Sequence, residues 1–544
     1  MGNRKSRGKT NKDSENGTKI PRKERAIPHG IEVPCLLAQK LMKMKWSELL
    51  TTKRLGEPIQ FEGSHLQEYE RNEFETDYLR ILSCASFRRL QDKTQVFPLD
   101  KSDFVRTRLT HSFESSAIAS KLGTMIKSKL SEESLDDEDR KAIENIPEIL
   151  ACVGLVHDIG NPPFGHFGEE VIRKWFNTNL GNFKVKIKDQ EKEEFVVDVL
   201  KKNGLDLHKD FYLFDGNAQA LRVLSKLHFH DSDQGLNLTI PTLNSMIKYP
   251  TFSNQVDGEG GVVRKKMGCF YAEKETYENI VAVTGAKGCR HPLTYILEVA
   301  DDIAYKTADV EDGLKKGLYG LDDLIYFAFN KLATYKKEGE NVYYVEKLFE
   351  KLIKLKNSSP RHLQKEIADK DLYAMQNWIP VVREWLMYVA ARRFNSEEYA
   401  SIMNGTYKED LFYETLHSRS VDILEDFMKK FIHPNREILK LELAANTIMS
   451  GLFERFVPAV LYHDGKYESK NHLERASYKK LYELLSDNYE KSYRNELKRF
   501  EAKNSNPEER MQHDIYLRLL LVVDYMSGMT DSFAKSFYQE LTGM

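Results

Sequence analysis

The chain has 544 residues, 41% of them hydrophobic and 30% charged, with 81 Lys and Arg against 83 Asp and Glu. That length exceeds one compact core, and a formal net charge of −2 gives no general affinity for nucleic acid. The five cysteines (Cys35, Cys84, Cys152, Cys269, Cys289) form no Cys-x-x-Cys pair, against a disulfide scaffold or cysteine zinc site, and no apolar run reaches the roughly 18 residues of a membrane helix. A soluble, cytoplasmic protein with no membrane association is expected.

The chain opens on a different material. Up to Arg25, nine basic residues stand against three acidic ones with almost nothing apolar to bury, so residues 1–27 are predicted to be a disordered basic tail. Met1-Gly2-Asn3-Arg4-Lys5-Ser6 also fits an N-myristoylation pattern, and the charge suits an arm touching phosphate; a solubilising tail is the plainer reading. Beyond Pro34, apolar residues recur at three- and four-residue steps, as over 321–332, 348–355, 423–432 and 515–526, which predicts helices. Turn signals are sparse, with 16 Pro and 30 Gly. A short alternating run at 342–345 predicts a small hairpin arm, and residues 251–267, ending in Arg264-Lys265-Lys266, a mobile loop. The expected fold class is all-α, with a catalytic core over 28–357, a C-terminal helical region over 358–544 packed on it, and at most a small β-hairpin. Aromatic-rich helices of mixed charge suit a homo-oligomer.

The chemistry-bearing residues gather in three places. An apolar helical run from Ile149 ends in His157-Asp158, followed by the turn Ile159-Gly160-Asn161-Pro162-Pro163-Phe164-Gly165 and then by His166 and Glu169. Imidazole and carboxylate together suit a first-row divalent metal and do not suit an apolar core. His166 and Glu169 are three apart, so on a helix they share a face and can hydrogen-bond. Two further ligands are needed. His111 opens an amphipathic helix in Arg106-Thr107-Arg108-Leu109-Thr110-His111-Ser112, where taken alone it reads as a core or N-cap histidine. Asp301, Tyr305 and Asp309 recur at four-residue steps on one helical face. Carboxylates among alanines are costly unless they meet water, a cation or a ligand; a solvated acidic stripe is the alternative.

Together, the order His…His-Asp…Asp resembles the HD-domain metal-dependent phosphohydrolases. More narrowly, Arg89-Leu90-Gln91-Asp92-Lys93-Thr94-Gln95-Val96-Phe97-Pro98, the Arg106 and His157 segments, Phe214-Asp215-Gly216-Asn217-Ala218-Gln219, residues 300–312 and Asp524-Tyr525-Met526-Ser527-Gly528-Met529-Thr530-Asp531 resemble the bacterial deoxyguanosine triphosphate triphosphohydrolases (dGTPases). The likeness runs from about Arg88 to near the C-terminus. It is weaker in the long middle and over 358–507, and it does not reach the basic tail.

The resemblance implies metal ligands His111, His157, Asp158 and Asp301, a set that suits Mn²⁺ or Mg²⁺ and also Fe²⁺. It implies hydrolysis of dGTP at the α-phosphorus to deoxyguanosine and inorganic triphosphate, a contribution to dNTP pool control. His166 would donate the proton, with Glu169 fixing its tautomer. Tyr305 would floor the deoxyribose, and Gln95 and Asp309 would meet the 3′-hydroxyl. Arg108, Lys248, Tyr249 and Lys266 would contact phosphate, although the loop before Lys266 departs from the family pattern, and Asn217 and Gln219 would orient their neighbours. The alternative is a broad-specificity dNTP triphosphohydrolase regulated by nucleotide or by single-stranded DNA. A tetramer or hexamer is the assembly implied.

Overall fold

The structure, a computed structural model, describes residues 44–544 apart from 57–71, 98, 100–101, 132–134, 188–192, 230–233, 258–260, 358–368, 414, 416–417, 469–474 and 544. The expected basic tail and its myristoylation pattern lie outside the described residues, as does part of the expected 251–267 loop. Residues 43–544 form one compact unit. Among the described residues, no helix is long and apolar enough to cross a membrane.

The fold is all-α, as the periodicity predicts. The helices used below are α1 (Glu73–Ser83), α2 (Arg108–Leu130), α3 (Ile146–Val156), α4 (Gly165–Asn179), α5 (Gly216–Ser225), α6 (Ile240–Met246), α7 (Pro292–Lys315), α8 (Leu321–Lys337), α9 (Tyr343–Asn357), α10 (Lys370–Arg392), α11 (Ser418–Phe431), α12 (Arg436–Tyr462), α13 (Asp487–Lys503), α14 (Pro507–Ser527) and α15 (Asp531–Thr542). Helix α3 is apolar nearly all round and is buried along its length, which places it at the centre. It lies against α1, α2, α6 and α7. Contact with α2 is close because α3 offers Gly154: a Cβ there would stand 2.5 Å from Ser116 Cα. Helix α2 starts at a capping box between Thr107 and Thr110, and α7 starts at Pro292, whose missing N–H costs nothing at a first helical position. Helix α12 packs on α4, α14 and α15, carrying the C-terminal helices onto the core.

The expected hairpin at 342–345 is corrected. Residues from Tyr343 form helix α9, because the three- and four-residue recurrence of Val345, Leu348, Phe349 and Leu352 buries one helical face and outweighs the short alternation. The strands lie elsewhere: β1 (Lys184–Ile187) pairs antiparallel with β2 (Glu193–Phe195), and a two-residue β3 (Tyr467–Glu468) joins β1 on its other edge. Val185, alternating between two lysines, is buried.

One buried ionic cluster ties this architecture together. Arg222 of α5, 1% exposed, grips Asp524 of α14 through Nε and Nη2, both at 2.8 Å, and reaches Glu273 at 2.8 Å and Glu496 of α13 at 3.1 Å. Gln219 Nε2 donates to Asp524 at 2.9 Å, so it serves this cluster. Arg222→Leu would strand buried carboxylates and is expected to cost about 3–5 kcal/mol, measurable by urea unfolding.

Candidate active site

Three helices deliver the presumed metal ligands to one point. His157 closes α3, where its Nδ1–H donates to the Gly154 carbonyl at 2.8 Å and leaves the Nε2 lone pair facing inward. His111, in the first turn of α2, brings Nε2 to 3.3 Å from His157 Nε2. Asp301, midway along α7, sets Oδ1 at 3.1 Å from His111 Nε2 and 3.2 Å from His157 Nε2. Asp158 Oδ2 stands slightly farther off, at 3.6 Å and 4.0 Å from the two imidazoles. Adjacent ligands about 2.1 Å from a shared divalent ion lie roughly 3 Å apart, so the inner three atoms fit such an ion. These donor atoms together could hold a divalent cation.

Both carboxylates are held charged. Burial pushes Asp301 up, but Lys248 Nζ at 2.7 Å and His157 outweigh it and hold the carboxyl well below its usual range. Burial likewise opposes Asp158, and Arg108 outweighs it; Asn161 Nδ2 also donates to Asp158 Oδ1 at 2.6 Å. The Arg108 pairing explains why Asp158 stands off from the imidazoles.

The acid pair stands beside this cluster. After Pro162-Pro163 the chain turns through Phe164 and Gly165, with φ of 63° and 60°, and enters α4. Gly168 is required there, because a Cβ would meet the Pro163 carbonyl oxygen at 2.0 Å. His166 Nδ1 lies 3.1 Å from Glu169 Oε2. Glu169 is buried, and its Oε1 accepts the Gly216 N–H at 2.8 Å, so the start of α5 fixes it. Hydrogen bonding and charge from Glu169 raise the His166 pKa above its ordinary value. Burial pushes Glu169 up, but its bond to His166 outweighs that and holds it at about 2. The His166 side chain is 79% exposed, within the mouth of a cavity.

That cavity, of about 570 Å³, is lined by His166, Asp158 and Asp301 and by all seven expected substrate contacts: Gln95, Arg108, Lys248, Tyr249, Lys266, Tyr305 and Asp309. Its cations already have partners, since Lys266 Nζ pairs with Asp215 Oδ2 at 2.8 Å. Asp215 caps α5 and accepts Asn217 Nδ2 at 2.6 Å, which keeps Asn217 at the cavity wall. Gln95 Oε1 is buried without a hydrogen-bond partner among the described residues. Burial and the neighbouring Asp312 push the Asp309 carboxyl well above its usual range.

Several lining residues escape sequence reasoning. Asn161 sat inside the His157 turn, three residues after Asp158, and its hydrogen bond to that carboxylate was the available signal. Behind the lining, Arg290, 1% exposed, donates to the Lys248 carbonyl at 2.7 Å and to Glu298 at 2.6 Å, and its guanidinium lies 5.7 Å from the Tyr249 ring centre, so it supports three residues of the wall. His433, Ile438 and Glu442, around the junction of α11 and α12, complete the wall with no motif to mark them.

A sequence profile of the HD domain matches residues 108–245, the stretch from Arg108 through the acid pair to α6. Fold and cluster together define an HD-domain protein, a class that implies a divalent metal. A deoxyguanosinetriphosphate triphosphohydrolase-like protein of Listeria monocytogenes is 43% identical over 503 residues, covering 92% of this chain and 100% of that relative. Another so named, from Pseudomonas aeruginosa, is 30% identical over 515 residues, covering 92% and 99%. A deoxyguanosinetriphosphate triphosphohydrolase of Yersinia enterocolitica is 30% identical over 497 residues, covering 86% and 93%. The chain belongs to the deoxyguanosinetriphosphate triphosphohydrolase family.

Proposed function

We propose that the chain hydrolyses deoxynucleoside triphosphates, dGTP foremost, at the α-phosphorus, releasing the deoxynucleoside and inorganic triphosphate and so contributing to dNTP pool control. The observation that carries this reading is one cavity lined by Asp158 and Asp301, which stand against the buried His111 and His157, by His166 of the His166–Glu169 pair, by Arg108, Lys248 and Lys266, and by Gln95, whose Oε1 has no hydrogen-bond partner among the described residues. His111, His157, Asp158 and Asp301 would hold a divalent ion, Mn²⁺ or Mg²⁺ with Fe²⁺ also matching the donors, which would supply Lewis-acid polarisation of phosphate and a more acidic water.

The chain's own groups do the rest. Arg108, Lys248 and Lys266 bind the triphosphate with Tyr249, and Lys266 exchanges Asp215 for phosphate. Glu169 holds the Nδ1 proton of His166; Nε2 delivers its proton to the 5′-oxygen as the water oxygen bonds to phosphorus and the P–O5′ bond breaks, and the water's proton passes to solvent, from which Nε2 is reprotonated. Gln95 and Asp309 meet the 3′-hydroxyl, with Gln95 Oε1 an acceptor for its proton. The Tyr305 ring fills the space a 2′-hydroxyl needs. Discrimination against one added hydroxyl by packing reaches roughly 10². Tyr305→Ala is expected to reduce the dNTP-over-NTP ratio of kcat/KM several-fold towards parity, measured with matched pairs.

Activity that needs protonated His166 is present below its pKa and lost as pH rises through it. Because Glu169 raises that pKa, the alkaline limb of the kcat profile is expected above about pH 6.5, the ordinary imidazole value. Glu169→Gln removes the charge, so the limb should move to lower pH; a limb that stays put refutes the pairing.

The test of the whole reading is a panel of each dNTP and NTP with Mn²⁺ or Mg²⁺ and separation of products. Deoxynucleoside with triphosphate supports it; monophosphate with pyrophosphate overturns it. Repeating the panel with nucleotide pairs and single-stranded DNA tests the regulated, broad-specificity alternative. The proposed homo-oligomer, a tetramer or hexamer, is tested by sedimentation at micromolar concentration.

A further inference from the structure

We propose that Asp531, in the first turn of α15, is a positioning residue for His166, an inference that rests on the hydrolase reading above. Asp531 is 1% exposed and does not line the catalytic cavity. Its Oδ1 accepts the Phe164 N–H at 2.8 Å. Its Oδ2 accepts the Thr94 N–H at 3.1 Å and also the Thr94 hydroxyl. Phe164 holds a φ of 63°, a conformation a residue with a side chain keeps only when its surroundings enforce it. Gly165 and His166 follow at once, so this hydrogen bond fixes the backbone from which the proposed proton donor projects. Thr94 precedes Gln95, so the same carboxylate also registers that cavity wall.

A second tie runs beside the first. Lys93 Nζ donates to the Asn161 carbonyl at 2.5 Å and to the Ser527 carbonyl, at the end of α14, at 2.7 Å. The Asn161 side chain in turn holds Asp158. The turn from Asp158 to His166 is therefore tied at two points, Phe164 directly by Asp531 and Asn161 through Lys93, which also holds the end of α14. The separation of Asp158 and His166 sets whether the metal cluster and the proton donor meet the same P–O5′ bond. A displacement of about 1 Å between reacting groups costs up to roughly 10² in rate.

The experiment compares full-length Asp531→Ala and Asp531→Asn with the parent by peptide-resolved hydrogen exchange and by kcat and KM, each also in a His166→Ala background. Asn keeps the volume but offers one acceptor oxygen where the carboxylate offers two, so either the Phe164 N–H or the Thr94 donors face an amide N–H₂; if the alanine variant does not fold, faster exchange over 159–168 in the asparagine variant shows that the Phe164 tie is the one lost. Expected are faster exchange confined to peptides over 90–97 and 159–168, and kcat roughly 10- to 100-fold lower at nearly constant KM. That kcat loss should vanish once His166 is absent, since it acts through His166. Unchanged local exchange, or a loss that persists undiminished without His166, overturns the proposal. A parent protein that releases no triphosphate sinks the hydrolase reading instead, while the exchange result still reports on the turn.

Discussion

Asp301→Asn is expected to abolish turnover and Mn²⁺ binding together. Asp301 Oδ1 is the atom that both imidazole Nε2 atoms face, at 3.1 and 3.2 Å, so no rearrangement of the other ligands replaces it. Alanine is the poorer test. Lys248 Nζ rests on Asp301 Oδ2 at 2.7 Å with its side chain 12% exposed, and removing the carboxylate leaves a nearly buried ammonium unpaired. Breaking such a pair costs about 3–5 kcal/mol, so Asp301→Ala should lose stability as well as activity. Adding Lys248→Met should return much of the stability and none of the activity. Calorimetric titration with Mn²⁺, thermal unfolding and product analysis read the three effects separately. An Asp301→Asn protein that binds Mn²⁺ as tightly as the parent and turns over normally shows that Asp301 is no ligand.

His166→Ala should lower kcat by roughly 10²–10⁴, the range for loss of a general acid, with a modest change in KM because the proton is delivered in the transition state. Glu169→Gln should do part of the same damage, and the double variant should be little worse than His166→Ala alone, as for residues acting as a unit. Glutamine is chosen because Glu169 Oε1 also accepts the Gly216 N–H at 2.8 Å; truncation would orphan that donor and blur the result. Metal affinity should be unchanged in all these variants. Full kcat in His166→Ala, or losses that simply add, would return His166 to an ordinary surface histidine.

Much of the site was legible because its grammar is local. A three-residue spacing puts His166 and Glu169 on one helical face, and four-residue steps put Asp301, Tyr305 and Asp309 on another, wherever those helices go. The Gly and Pro of the turn after Asp158 likewise announced a constrained backbone. The hairpin expected at 342–345 failed for a local reason too: a few alternating residues carry less weight than a longer helical recurrence beginning inside them. Two lysines flanking Val185 were an equally short signal, and there the strand formed.

Residue type and spacing along one helix or turn were enough to read the helical class and to nominate the candidate metal donors and the candidate acid pair. Only the tertiary structure decided that α2, α3 and α7 bring their donors within 3.3 Å, and that Lys248 and Arg108 lean on the two carboxylates. It alone drew His433 and Glu442 into the cavity wall and set Asp531 against Phe164 across 367 residues of chain. Such meetings follow from which faces bury together. A buried polar atom takes whatever partner the packing supplies, and its position along the chain does not name that partner.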